Sequence, residues 1–180
     1  MRIDEELRLV LPVGEKVFAY HTPINEEVFR ANFRILAATK ASLWGKGLAY
    51  AADVGPQIAS LTLVDEGEQL ARERLEEGDY GARSLLAELK RLTVILKPTA
   101  DGWDTLPVDK ALDEAEWREI EARVVFFTCL YVLTPIADRT GVAEAVSGIL
   151  RGRTTSSPIS GMNAFLQKWI EDESFEDEGS

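Results

Sequence analysis

The chain has 180 residues, 46% of them hydrophobic, with a single cysteine and a formal net charge of −11. That length supports one sizeable core and is short for two. The acidity excludes the basic footprint that nucleic-acid phosphates require and disfavours an anionic membrane surface. A lone cysteine cannot make an intrachain disulfide, so the fold does not rest on an oxidising compartment.

The N-terminus, MRIDEELRLV, carries acids where a signal peptide would be basic and then apolar. Residues 7–20, LRLVLPVGEKVFAY, hold two short β-prone runs separated by Pro12 and Gly14, the pattern of a hairpin or an edge ribbon. His21-Thr22-Pro23 breaks that pattern. Asn25 then caps a helix opening on Glu26 and Glu27, whose charges suit the positive end of the helix dipole. Val28, Phe29, Asn32, Phe33, Leu36 and Lys40 mark one broad face, and Gly45 and Gly47 loosen the far end around Trp44.

Asp53 is placed to cap a second helix, with Pro56 tolerated in its first turn. Its expected inner residues are Ile58, Ala59, Leu61, Thr62 and Leu63. The run DEGEQLARERLEEGD reads as a solvated helical face with Glu68 four residues before Arg72. Gly78 and Gly81 flank a turn, after which Leu85, Leu86, Leu89 and Leu92 keep helical spacing.

Thr93–Leu96 and Trp103–Leu106, joined through Asp101-Gly102, predict a strand, a tight turn and a second strand. Asp113 with Glu116 fits a capping box. Beyond it Trp117, Ile120, Val124, Phe127 and Tyr131 recur at steps of three and four. Val125, Phe126, Cys129, Leu130, Val132 and Leu133 fill the other sides, so the second half of this helix is predicted to be the central core helix. The apolar run from Val124 to Ala137 lies between Arg123 and Asp138. It is well short of the roughly 20 residues a bilayer demands. Pro135 ends or kinks the helix, and Thr140 caps a shorter one lined by Val142, Val146, Ile149 and Leu150.

From Gly152 the composition turns to GRTTSSPIS, a linker. After it Met162, Phe165, Leu166, Trp169 and Ile170 stand at i, i+3, i+4, i+7 and i+8, one stripe of an amphipathic helix with Ser160 as its cap. Six acids and no base follow in the last ten residues, a composition that favours disorder. The fold expected is therefore mainly α with a small β component: a helical domain over 1–151 with one or two short hairpins, then an arm over 152–180.

No constellation points to catalysis. Cys129 sits in VVFFTCLYVL without a cation or helix N-terminus to lower its pKa, and so reads as an inert core thiol. His21 is the only histidine, which removes His pairs and His/Cys clusters as metal ligands; it reads as a turn or packing residue. Gly45-Lys46-Gly47 lacks the spacing of a phosphate loop. Carboxylates cluster on solvated faces and in the tail, where they serve capping and solubility. No catalytic, cofactor-binding or metal residue is assigned.

Of the four tryptophans, Trp103 and Trp117 flank the hairpin-to-helix junction and are expected to pack there over the base of the core helix. Trp169 lies past the linker. Tryptophan on a terminal amphipathic segment is a residue type enriched at interface hot spots. Met162, Phe165, Leu166, Trp169 and Ile170 are thus the candidate partner-binding residues, by insertion into a groove of another chain or a neighbouring copy. The other reading of the arm is that it docks on its own domain.

Three strings, in order, carry a family resemblance: HTPI leading into EEVF, RLT…P…GW…LP…A, and an E-x-E helix entering VVFF, followed by a TTSS linker before a short terminal helix. Over roughly residues 7–170 the chain resembles the small tail-assembly proteins, or tail assembly chaperones, of long-tailed bacteriophages and prophages. The resemblance implies a mostly helical, non-enzymatic protein of the host cytoplasm, without cofactor, that holds the tape-measure protein and recruits tail-tube subunits. It also leaves open a prophage-encoded inhibitor that binds the same components and blocks tail assembly, a minor structural tail or connector subunit, and self-association.

Overall fold

The computed structural model describes residues 2–3, 8–14, 16–45, 54–75, 77–100, 102–133 and 153–154. Helices outweigh strands, as the sequence predicts. The strands are β1 (Arg2–Ile3), β2 (Leu9–Gly14), β3 (Val17–His21), β4 (Thr93–Thr99), β5 (Gly102–Pro107) and β6 (Arg153–Thr154). The helices are α1 (Glu26–Gly45), α2 (Val54–Arg74), α3 (Ala82–Arg91), α4 (Val108–Ala111) and α5 (Glu114–Val132).

The two hairpins are not separate. Pairing of β3 with β4, with Phe18 opposite Leu96 and His21 opposite Thr93, fuses them into one sheet ordered β5-β4-β3-β2-β1-β6. The N-terminal runs are therefore interior strands and not an edge ribbon. Every pairing is antiparallel except the parallel contact of β1 with β6. Arg153 and Thr154, at the start of the expected linker, belong to that strand.

Period-two alternation divides the sheet into two faces. Leu9, Leu11, Ala19 and Ile95 join the main core with residues of the helices. Val10, Phe18 and Leu96, one residue out of phase, form a second cluster with Tyr20 and Trp103. Trp103 thus lies on the sheet face opposite the helices, against Phe18 with ring centroids 5.7 Å apart. It does not share the helical junction with Trp117. Register is the cause: Trp103 pairs with Pro98, and the main-core positions of β4 are odd-numbered.

Helix α5 is the centre of the core. It contacts α1, α2, α3 and β2, and Val124 to Leu130 are all buried. Phe126 stacks on Trp44 of α1 at 5.7 Å and 15°, while Phe127 meets the opposite side of the core. The capping box forms reciprocally: the Asp113 amide donates to Glu116 and the Glu116 amide to Asp113. Asn25 likewise accepts from the Val28 amide at 2.9 Å, fixing the start of α1. The expected caps Asp53, Ser160 and Thr140, together with Pro135, Gly47 and the helix after Thr140, lie outside the described residues.

Two helical faces differ from expectation. On α1 the buried side is Ile35, Leu36, Thr39 and Leu43, and Phe33 is 49% exposed, its ring edge-to-face with Phe29. On α2 Leu61 is 71% exposed, and the buried stripe runs Ala59, Leu63, Gly67 and Ala71. Three of these four are small, and Gly67 lets α2 come close to the turn before α3, so one side of the charged run is buried. The other side carries the Glu68–Arg72 pair at 3.0 Å.

Gly67 shows how close that approach is. A Cβ placed there would lie 2.1 Å from the Asp79 carbonyl oxygen and 3.0 Å from the Ala82 Cβ. The turn it meets is held by Tyr80 and Gly81 at positive φ and by the Asp79 carboxylate, which accepts from the Arg83 amide. Gly67→Ala is therefore expected to destabilise by about 1–3 kcal/mol, the usual range for overpacking. This outweighs the roughly 1 kcal/mol of helix propensity that alanine gains. Urea denaturation checks it, and a more stable variant would contradict the packing described.

Candidate functional site

The strings that carry the resemblance converge at His21. It closes β3 and is fully buried, opposite Thr93 at the start of β4. His21 Nδ1 lies 2.9 Å from Thr93 Oγ1, and that hydroxyl donates to the Leu89 carbonyl at 2.8 Å. The threonine proton is thereby committed to the end of α3, so Nδ1 carries the imidazole proton and donates to Thr93. Nε2 then faces the core as a lone pair, with no hydrogen-bond partner. The ring stands edge-on to Phe127, centroids 6.5 Å apart and planes at 89°. Burial pushes the His21 pKa down to about 3, slightly offset by the Leu89 carbonyl. A neutral imidazole in this setting ties three segments together.

The Cys129 thiol is equally enclosed. Burial pushes its pKa up to about 12, against a small opposing pull from Lys40. Thiolate chemistry is suppressed there. Near the start of α5 the Trp117 indole N–H donates to Glu121 at 3.0 Å, and the Lys90 ammonium lies 5.8 Å over the Trp117 ring. Partial burial raises the Glu121 carboxyl pKa, with the Trp117 hydrogen bond and then Lys90 and Arg118 pulling the other way. Lys90 pairs with Asp109 of α4. These contacts lock α3, α4 and α5 together at the surface.

Among the described residues no group of three His, Cys, Asp or Glu side chains gathers as metal ligands, and no helix is long and apolar enough to cross a membrane. The exposed large apolar side chains described are Phe33 on α1, Leu61 on α2 and Leu75 just past it. The candidate partner-binding residues Met162, Phe165, Leu166, Trp169 and Ile170 lie outside the described residues. What the sequence left unrecognised is the histidine junction. Its one local signal is a histidine closing one alternating strand and a threonine opening a later one.

Comparison with known proteins returns no family model, no curated protein and no solved structure that matches this chain.

Proposed function

We infer that the protein is a non-enzymatic tail-assembly chaperone of a long-tailed phage or prophage, acting through protein–protein contacts in the bacterial cytoplasm. The observation that supports this reading is the convergence at His21. The histidine of HTPI bonds the threonine of RLT and packs edge-on against a phenylalanine of VVFF. Strings separated by some 70 and 100 residues are thus parts of one structural joint, which is what a common role for them in the fold would require. The tape-measure and tail-tube proteins are the partners proposed, on the resemblance of the sequence.

Two surfaces offer themselves for the contact: the terminal stripe from Met162 to Ile170, and the exposed Phe33 of α1. Phe33, half exposed beside Phe29, is a large apolar side chain on a rigid helix, the kind of anchor that dominates interfaces. In capture assays with co-expressed tape-measure protein, Phe33→Asp is expected to weaken binding at least about tenfold, or roughly 1.4 kcal/mol. Trp169→Ala should change it by less than about threefold. The reverse pattern would move the contact to the arm, and no capture by the unaltered protein would remove the tape-measure protein as partner.

A further inference from the structure

One end of the sheet is β5, which among the described residues is paired only on its β4 side. Gly102, Asp104, Thr105 and Pro107 are exposed, and Trp103 and Leu106 are partly buried. Helix α4 follows at once and turns back over the sheet. It contacts β4 as well as β5, and the Lys97 ammonium donates to the Ala111 carbonyl at 3.0 Å.

The pairing decides which backbone groups face outward. The Thr22 amide donates to the Leu92 carbonyl at 3.0 Å, in step with the register of β3 and β4. Hydrogen-bonded pairs alternate along antiparallel strands, so even-numbered residues of β4 bond β3 and odd-numbered ones bond β5. The bonded pairs of the hairpin are therefore Ile95–Leu106, Lys97–Asp104 and Thr99–Gly102. The backbone groups of Trp103, Thr105 and Pro107 then point away from β4. Pro107 suits an open edge, because a proline in a sheet sits where its missing N–H would face outward. The edge thus offers two donors, the amides of Trp103 and Thr105, and three acceptors, the carbonyls of Trp103, Thr105 and Pro107.

We propose that this edge pairs with β5 of a second copy of the chain, antiparallel about a two-fold axis at Thr105. In that register each Thr105 amide donates to the Thr105 carbonyl of the other copy. Each Trp103 amide donates to the Pro107 carbonyl of the other copy. Both donors of each edge are used, and the proline, with no amide to give, only accepts. Residues directly opposite share a face. Threonine therefore meets threonine, Trp103 of one copy meets Pro107 of the other, and Asp104 meets Leu106.

Charge selects this register over its nearest rival. Pairing Trp103 with Thr105 of the second copy makes as many bonds but centres on Asp104. Two carboxylates would then stand directly opposite, and like charges so placed are destabilising. Registers centred nearer either end of β5 pair fewer of its residues. The contact is isologous, so it closes at two copies. One short strand pair is a small contact, which makes the dimer a weak one.

Sedimentation equilibrium of the full-length chain tests this. The weight-average mass should climb from one chain toward two between about 10 and 500 µM, the range open to a small contact. Thr105→Pro removes the central donor, whose N–H takes no part in the fold, and Thr105→Lys sets two like charges at the axis. Each should weaken association at least about tenfold in a chain with unchanged circular dichroism. Having both variants keeps the test valid if the proline perturbs folding. Thr105→Cys reads the register, since opposite Cα atoms lie within disulfide reach and the native Cys129 is buried. On oxidation it should join two chains at least about tenfold faster than Asp104→Cys. A monomer throughout that range, association unchanged in a folded Thr105 variant, or faster joining through position 104 would each overturn the proposal. No tail protein is present, so the outcome is independent of the functional reading.

Discussion

Phe127→Ala is expected to cost about 3–5 kcal/mol of folding stability, the range observed when a large aromatic is deleted from a core. The side chain is 1% exposed and belongs to the main cluster, which draws residues from β2, β3 and β4 as well as from helices α1 to α5. It also supplies the edge contact to His21. Truncation leaves a cavity bordered by a strand end and by helices held through their own packing, so collapse around it is limited. The Phe126–Trp44 stack on the other side of α5 stays in place. Guanidinium denaturation of the two proteins measures the difference. A loss below about 1 kcal/mol would mean that α5 is not the central element.

The second large effect is one of pH. His21 has a folded-state pKa of about 3 against an ordinary value of 6.5, because burial disfavours the charged ring. Between those values the unfolded chain binds a proton that the folded chain refuses, so stability falls as pH falls below 6.5. The slope approaches about 1.4 kcal/mol per pH unit, and lowering the pH from 7 to 5 should remove about 2 kcal/mol. Glu121 acts in the opposite sense, since its raised folded pKa favours the folded state as pH drops. Glu88, held low chiefly by its hydrogen bonds from Arg91, loses its contribution only below about 4.5. Of these groups His21, the only histidine in the chain, is the one that lowers stability as pH falls from 7 to 5. Urea midpoints measured across it should slope downward in the unaltered protein and be nearly flat in His21→Gln. Equal slopes in the two would place the titration elsewhere.

Features set by neighbouring residues were legible in the sequence. The Asp113–Glu116 capping box, the Asn25 cap, the Gly102 turn and the all-round apolar α5 each depend on a few adjacent positions, and each is present. Features set by pairing across the chain were not. Joining the two hairpins requires β3 to find β4 some 70 residues away, and no local pattern encodes that choice. The facing of Trp103 follows from the same register. Once Thr93 and Ile95 face the helices, Leu96 is placed on the other side. Phe33 and Leu61 are exposed for another reason. Apolar residues occur around much of α1 and α2, and on α2 the buried stripe includes Ala59, Gly67 and Ala71, whose small size a hydrophobicity pattern undervalues. At the candidate site the inert character of Cys129 and the packing role of His21 were readable from composition. The bond from His21 to Thr93 was not.

The functional claim is tested most directly by electron microscopy of particles made by the parent phage or induced prophage after deletion of this gene. Filled heads without tails, with tails restored when the protein is supplied from a plasmid, is the predicted result. Normal tailed particles from the deletion would contradict a chaperone. If tails then disappeared on overproduction of the protein, it would instead be an inhibitor of assembly.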